Sequence, residues 1–126
     1  MDLTILWIVL AILIHWVADF VLQPGDLQTD QKAEYIIKHC NSYTISFSLL
    51  SLLLWIAINK VVAVNTLNNF AAFLLICVLS HAIIDYMLIP VLYKYKKQLR
   101  MLGLAWALDQ IIHISIVVSS LYYFLL

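Results

Sequence analysis

The side chains best suited to chemistry in this chain are histidines and aspartates that recur four positions apart. His15 and Asp19 lie in His15-Trp16-Val17-Ala18-Asp19-Phe20-Val21-Leu22-Gln23-Pro24. The same plan of His, three residues, Asp, an aromatic, one residue, Leu, one residue and Pro returns in His81-Ala82-Ile83-Ile84-Asp85-Tyr86-Met87-Leu88-Ile89-Pro90. A third pair, Asp109 and His113, keeps the spacing and reverses the order. On a helix, positions i and i+4 share one face, about 6 Å apart along the axis at about 1.5 Å per residue. Each pair therefore offers an imidazole and a carboxylate to the same neighbour.

Imidazole and carboxylate are the ligand set of zinc, iron and manganese. His15, His39, His81 and His113 with Asp19, Asp85 and Asp109 suffice for one divalent metal, zinc above all, with supporting carboxylates, or for two metals. The reaction expected of such a centre is hydrolysis by metal-bound water, with an aspartate among Asp19, Asp85 and Asp109 as general base. Tyr43, four residues after His39, can orient it or donate a proton, and Gln23 and Gln110 can hydrogen-bond the carboxylates from a second layer. Two other readings compete. Chains of Asp and His also build proton or metal-ion transport proteins, but the far halves of the apolar segments offer only Thr44, Ser46, Ser48, Ser51, Ser119 and Ser120 to continue a path. A purely structural or interaction role would use the same residues as His–Asp hydrogen bonds. Such contacts contribute about 0.6 kcal/mol each, against about 2.5–3.5 kcal/mol to place an aspartate mid-span.

The elements that must position these groups are membrane helices. The composition is 65% hydrophobic and 11% charged, and the mean hydropathy is +1.00, far from soluble usage. About 20 mainly apolar residues cross a bilayer. Segments of that kind run over about 3–22, 42–58, 70–92 and 101–126, with an interfacial helix over about 30–41 capped by Thr29 or Asp30. The first ends at Pro24-Gly25 and, lacking a basic n-region, is expected to be a retained span rather than a signal peptide. Every Lys and Arg except Lys60 falls in the first and third loops, which puts those loops in the cytoplasm and both termini outside. Spans one and three then run in the same direction with the same motif. The expectation is an all-α integral membrane four-helix bundle in one domain, made of two pseudo-repeated helical hairpins.

Depth follows from direction. Span four is antiparallel to spans one and three, so its reversed motif places Asp19, Asp85 and Asp109 in one tier and His15, His81 and His113 one turn deeper, with His39 approaching the aspartates from span two. A substrate, expected to be a membrane lipid or lipid-linked molecule, would come in beside Lys32, Lys94, Lys96, Lys97 and Arg100. Those cations can attract anionic headgroups, although they also serve as the topology signal. Zero net charge gives no reason to expect nucleic acid. Cys40 and Cys77 have neither zinc-knuckle nor CxxC spacing and read as packing residues. No HExxH or convincing nucleophile is present, and the small surface that four spans bury leaves room for a homo-oligomer.

At these same residues the chain resembles a family of small polytopic membrane proteins from bacteria and their phages, the domain of unknown function 3307 family. The resemblance rests on His15-x-x-x-Asp19-Phe20-x-Leu22-Gln23, on Lys32, on His39-x-x-x-Tyr43, on His81-x-x-x-Asp85 and on Asp109-Gln110-x-x-His113, and covers most of the chain. It implies an inner-membrane protein and brings no established activity. A more distant likeness to bacterial inner-membrane proteins described as predicted metal-dependent hydrolases, which also carry His-x-x-x-Asp in their spans, implies hydrolysis by analogy.

Overall fold

Each long apolar run folds into a helix because, in lipid, only intrahelical bonds can satisfy the backbone. The computed structural model describes residues 3–22, 32–59, 67–95 and 97–125, and within them the elements are helical throughout. Helix α1 (Leu3–Trp16) runs directly into a π-helical turn (Val17–Val21); α2 (Lys32–Asn59), α3 (Leu67–Tyr95) and α4 (Leu99–Leu125) follow. Four candidate spans, Thr4–Val21, Glu34–Ile58, Leu67–Tyr95 and Leu99–Leu125, are long and apolar enough to cross a membrane. The stretch expected as an interfacial helix is continuous with the second span in α2. Gln23, Pro24, Thr29, Asp30 and Lys96 lie outside the described residues, and of Lys32 only the backbone is described.

Among the described residues α1 packs on α2 and α4, and α3 packs on the same two helices, so α1 and α3 face each other across the bundle axis. One stripe at four-residue steps turns inward from each helix. In α2 it is Tyr35, His39, Tyr43, Phe47 and Ser51; in α3 it includes Cys77, His81, Asp85 and Ile89; in α4, Asp109, His113, Val117 and Leu121. The opposite faces carry Ile45, Leu53, Leu75, Ile83 and Ile111, all exposed. In water so much apolar surface would aggregate, whereas against acyl chains it is at home. Hydroxyls on the helix flanks are satisfied locally: Thr44 donates to the Cys40 carbonyl, Ser80 to that of Ile76 and Ser115 to that of Ile111.

The interior divides into two halves. At the end bearing Lys94, Lys97 and Arg100, hereafter the basic end, it holds His15, Asp19, His39, His81, Asp85, Asp109 and His113, all buried. Beyond them the axis is filled by Trp7, Ala11, Phe47, Phe70, Phe73, Cys77, Val117, Leu121 and Leu125. Phe47 and Phe73 pack at 6.1 Å between ring centroids, and Trp55 stacks on Phe70 at 5.0 Å. Cys77 is in this core, in keeping with a packing role.

Candidate metal centre

The last turn of the first span departs from α-helical geometry at the residues that matter most. The Leu22 N–H bonds the Val17 carbonyl, five residues back, at 3.1 Å, and the Ser42 hydroxyl of α2 donates to the Leu22 carbonyl at 2.7 Å. π turns of this kind concentrate at functional sites because the wider turn re-aims side chains. Here it turns Asp19 toward α2, α3 and α4. One Asp19 oxygen lies 3.2 Å from His39 Nε2 and 3.7 Å from His81 Nε2, and the other accepts a hydrogen bond from Gln110 Nε2 at 2.9 Å. His15, the histidine of the same motif, pairs through Nδ1 with the Tyr43 hydroxyl at 2.9 Å.

Asp85 on α3 stays with its own histidine. Its Oδ2 lies 3.1 Å from His81 Nε2 and 2.8 Å from His39 Nε2, and its Oδ1 lies 3.5 Å from His113 Nε2. Asp109 stands behind His113, with Oδ1 3.4 Å from Nδ1, and its other oxygen accepts from Gln110 Nε2 at 3.0 Å. One glutamine amide thus ties the carboxylates of the π turn and α4. The deeper tier is a stack of rings: Tyr43 lies flat on His81 at 3.4 Å between centroids, His81 contacts His113 at 4.4 Å, and His15 contacts His113 at 5.6 Å. The two expected tiers are therefore present, with Asp19, Asp85 and Asp109 nearer the basic end and His15, His81 and His113 beyond them, and His39 reaches the carboxylates from the fourth side.

Among the described residues, two overlapping groups have donor atoms close enough for one ion: Asp19, His39 and His81, and His81, Asp85 and His113. His15 belongs to neither. Hydrogen bonding separates the two groups. Both nitrogens of His81 and both of His113 are buried without a hydrogen-bond partner, despite standing close to carboxylate oxygens, whereas His39 Nε2 is bonded to the carboxylates. Burying so many unpaired polar nitrogens is costly unless something else engages them. For tetrahedral zinc with N and O ligands at about 2.0–2.1 Å, neighbouring donor atoms stand about 3.3–3.4 Å apart. The 3.1 and 3.5 Å separations around Asp85 bracket that figure. The 3.2 and 3.7 Å separations around Asp19 bracket it too, so the unpaired nitrogens of His113 are what favour the second group.

The layer floors a cavity of about 220 Å³ lined by Asp19, Phe20, Tyr35, His39, Asp85, Leu92, Trp106, Asp109 and Gln110. Trp106 packs edge-on against Phe20 at 5.6 Å, and Tyr35 stacks on His39 at 5.9 Å. Tyr43, expected as a catalytic group, lies deeper than this cavity, between His15 and His81. Lys94, Lys97 and Arg100 are exposed and do not line it, and Lys94 Nζ sits 5.5 Å from the ring centre of Tyr95. Sequence reasoning missed Tyr35, Phe20, Leu92 and Trp106 as wall residues. Tyr35 was within reach, since it precedes His39 by the same four-residue step that linked His39 to Tyr43. Cys40 was passed over as well, although its thiol lies 4.0 Å from Asp85 Oδ2.

A family profile described as "Protein of unknown function (DUF3307)" matches residues 7–126, a range that contains every residue of this layer. No curated protein and no solved structure matches the chain.

Proposed function

The chain belongs to the DUF3307 family, proteins of unknown function, and from the chemistry of its polar layer we propose that it is a metal-dependent membrane hydrolase acting on a lipid or lipid-linked substrate. The observation that carries this reading is the cluster around Asp85. His81 Nε2 and His113 Nε2 each approach a different oxygen of one carboxylate, at 3.1 and 3.5 Å. That arrangement suits ligands around a shared cation. His81, His113 and Asp85 would hold a divalent ion, which would supply an electrophile and lower the pKa of water toward neutral.

The chain's own groups do the rest. Asp19 and His39 face each other at 3.2 Å on the cavity wall. As the water oxygen attacks the substrate ester, Asp19 takes its proton; as the bond to the leaving oxygen breaks, His39 gives that oxygen a proton, which Asp19 then restores. Asp109 orients His113, and Gln110 holds Asp19 and Asp109 apart at fixed distance. The positive-inside rule assigns the basic end to the cytoplasmic leaflet and both termini to the other side. The far half of the bundle favours catalysis over passage. Trp7, Phe70, Phe73, Leu121 and Leu125 leave only about 10 Å³ among them.

Elemental analysis of the detergent-purified protein beside His81→Ala is the test. Zinc, iron or manganese bound by the wild type and lost from the variant, with ester hydrolysis in detergent and no gradient, is the expected result. Bound metal with ion flux into sealed vesicles and no hydrolysis would replace catalysis by transport. A protein that takes up no metal even when zinc is added would leave the layer as a structural feature.

A further inference from the structure

The two imidazoles of the proposed ion site, His113 and His81, are held in different ways. A ligating imidazole ordinarily gives its second ring nitrogen to a carboxylate, a carbonyl or a water, and that partner fixes the plane of the ring. Asp109 stands in that place for His113, 3.4 Å from Nδ1. His81 Nδ1 is buried with no hydrogen-bond partner. Its ring is covered instead by Tyr43 of α2, 7° from parallel and 3.4 Å away between centroids. That spacing leaves almost no sideways slip between the two rings. Neutral aromatic faces, both negative, favour offset or tilted contact, whereas a ring that carries positive charge is attracted to an aromatic face squarely against it. Tyr43 and Phe47, also near parallel at 13°, show the offset form with centroids 5.1 Å apart. The eclipsed stack suits an imidazole bound to a cation.

Tyr43 is itself held from two sides, by Phe47 against its ring and by His15 Nδ1 at 2.9 Å from its hydroxyl. His15, Tyr43 and His81 are each 1% exposed, so solvent competes for neither contact. We propose that Tyr43 is a positioning residue: its ring fixes the plane in which His81 presents Nε2 to the ion, and His15 fixes the ring of Tyr43. This gives a task to the histidine of the first motif, which belongs to neither candidate ligand group. The His81 motif supplies a ligand, and the His15 motif supports that ligand through α2. The proposal rests on the metal-centre reading for its consequence, but the ring contact is measurable without metal.

Two readouts on the detergent-purified full chain test it. In the metal-free protein, the His81 ring protons, assigned by NMR with His81→Gln, are expected upfield of the free-imidazole range because Tyr43 shields them, and Tyr43→Leu should return them to it. With cobalt(II) as the probe ion, Tyr43→Leu should weaken binding about 100-fold in chelator competition and change the visible ligand-field bands. Tyr43→Phe, which keeps the ring and the core volume, and His15→Phe, which removes Nδ1, should each cost about tenfold, within the range for a residue that supports a ligand. Both remove the same hydrogen bond, so the double variant should also cost about tenfold instead of about 100-fold. If Tyr43→Leu does not fold, the two phenylalanine variants and their double decide by that comparison. Variants that lose thermal stability while cobalt affinity and bands stay as in the wild type would overturn the proposal, as would additive losses in the double. Unshifted His81 protons in a protein that binds cobalt would remove the role of Tyr43 and keep the metal centre. Shifted protons in a protein that takes up no cobalt would sink the metal centre and reduce Tyr43 to a packing residue.

Discussion

Asp85 keeps the histidine of its own helix, 3.1 Å from His81 Nε2, whereas Asp19 leaves His15 and reaches His39, His81 and Gln110 on the three other helices. The residue plan of the two segments is the same, so the difference lies in the backbone. After Pro90 the chain continues Val91-Leu92-Tyr93, Leu92 is buried, and α3 runs through the proline to Tyr95. After Leu22 the sequence reads Gln23-Pro24-Gly25-Asp26, a helix-ending composition, and the turn before it widens to π geometry. A turn beside a helix-ending sequence can widen at little cost, and the Ser42 hydroxyl satisfies the Leu22 carbonyl at its end. The aromatic that follows each aspartate diverges with it. Phe20 lines the cavity, while Tyr86 is 72% exposed on the lipid face. Both aspartates bridge between helices, but only Asp85 also holds the histidine of its own motif.

If that division of labour is right, the two histidines are unequal. His81→Ala should abolish stoichiometric metal binding, and with it the thermal stabilisation that added zinc gives the wild type, about 2.7 kcal/mol when zinc is present at a hundredfold its Kd. His15→Ala should retain the ion and lose no more than about 10–100-fold in affinity, the cost of a supporting residue. Chelator competition on both variants decides it; equal losses would mean the copies are equivalent after all. The aspartates sharpen the contrast one step further. Asp85→Asn should lose metal and turnover together, while Asp19→Asn should keep metal and lose about 10²–10⁴ in rate, as expected for removing a proton-transfer group. Metal loss from Asp19→Asn would instead make Asp19, His39 and His81 the ion's ligands. The smallest effect is expected at the device that steadies the π turn. Ser42→Ala should cost about 1 kcal/mol of stability by removing one hydrogen bond, read as a lowered thermal midpoint in detergent, with metal content intact. A change in metal content there would mean the turn positions the ligands themselves.

Much of the architecture was legible in the sequence because lipid leaves few alternatives: runs of that length and hydropathy must be helices, and intramembrane aspartates must face inward. The depth argument also held, since reversing a four-residue motif on an antiparallel helix restores its level, and Asp109 and His113 do stand beside Asp85 and His81. Gln110 could be named for the same reason, lying next to Asp109 at the level of the carboxylates.

What the chain alone determined, then, is which side chains share a layer, because helical rise and the i, i+4 repeat are properties of the backbone. Which atom meets which, the tertiary structure decided. The π turn that re-aims Asp19, the rings that place Tyr43 flat on His81 and the unpaired nitrogens around Asp85 all depend on neighbours brought together from other helices. Sequence spacing fixes a residue's height and face to within a turn, but ligand geometry is set by angstrom-scale packing between helices that no single helix encodes.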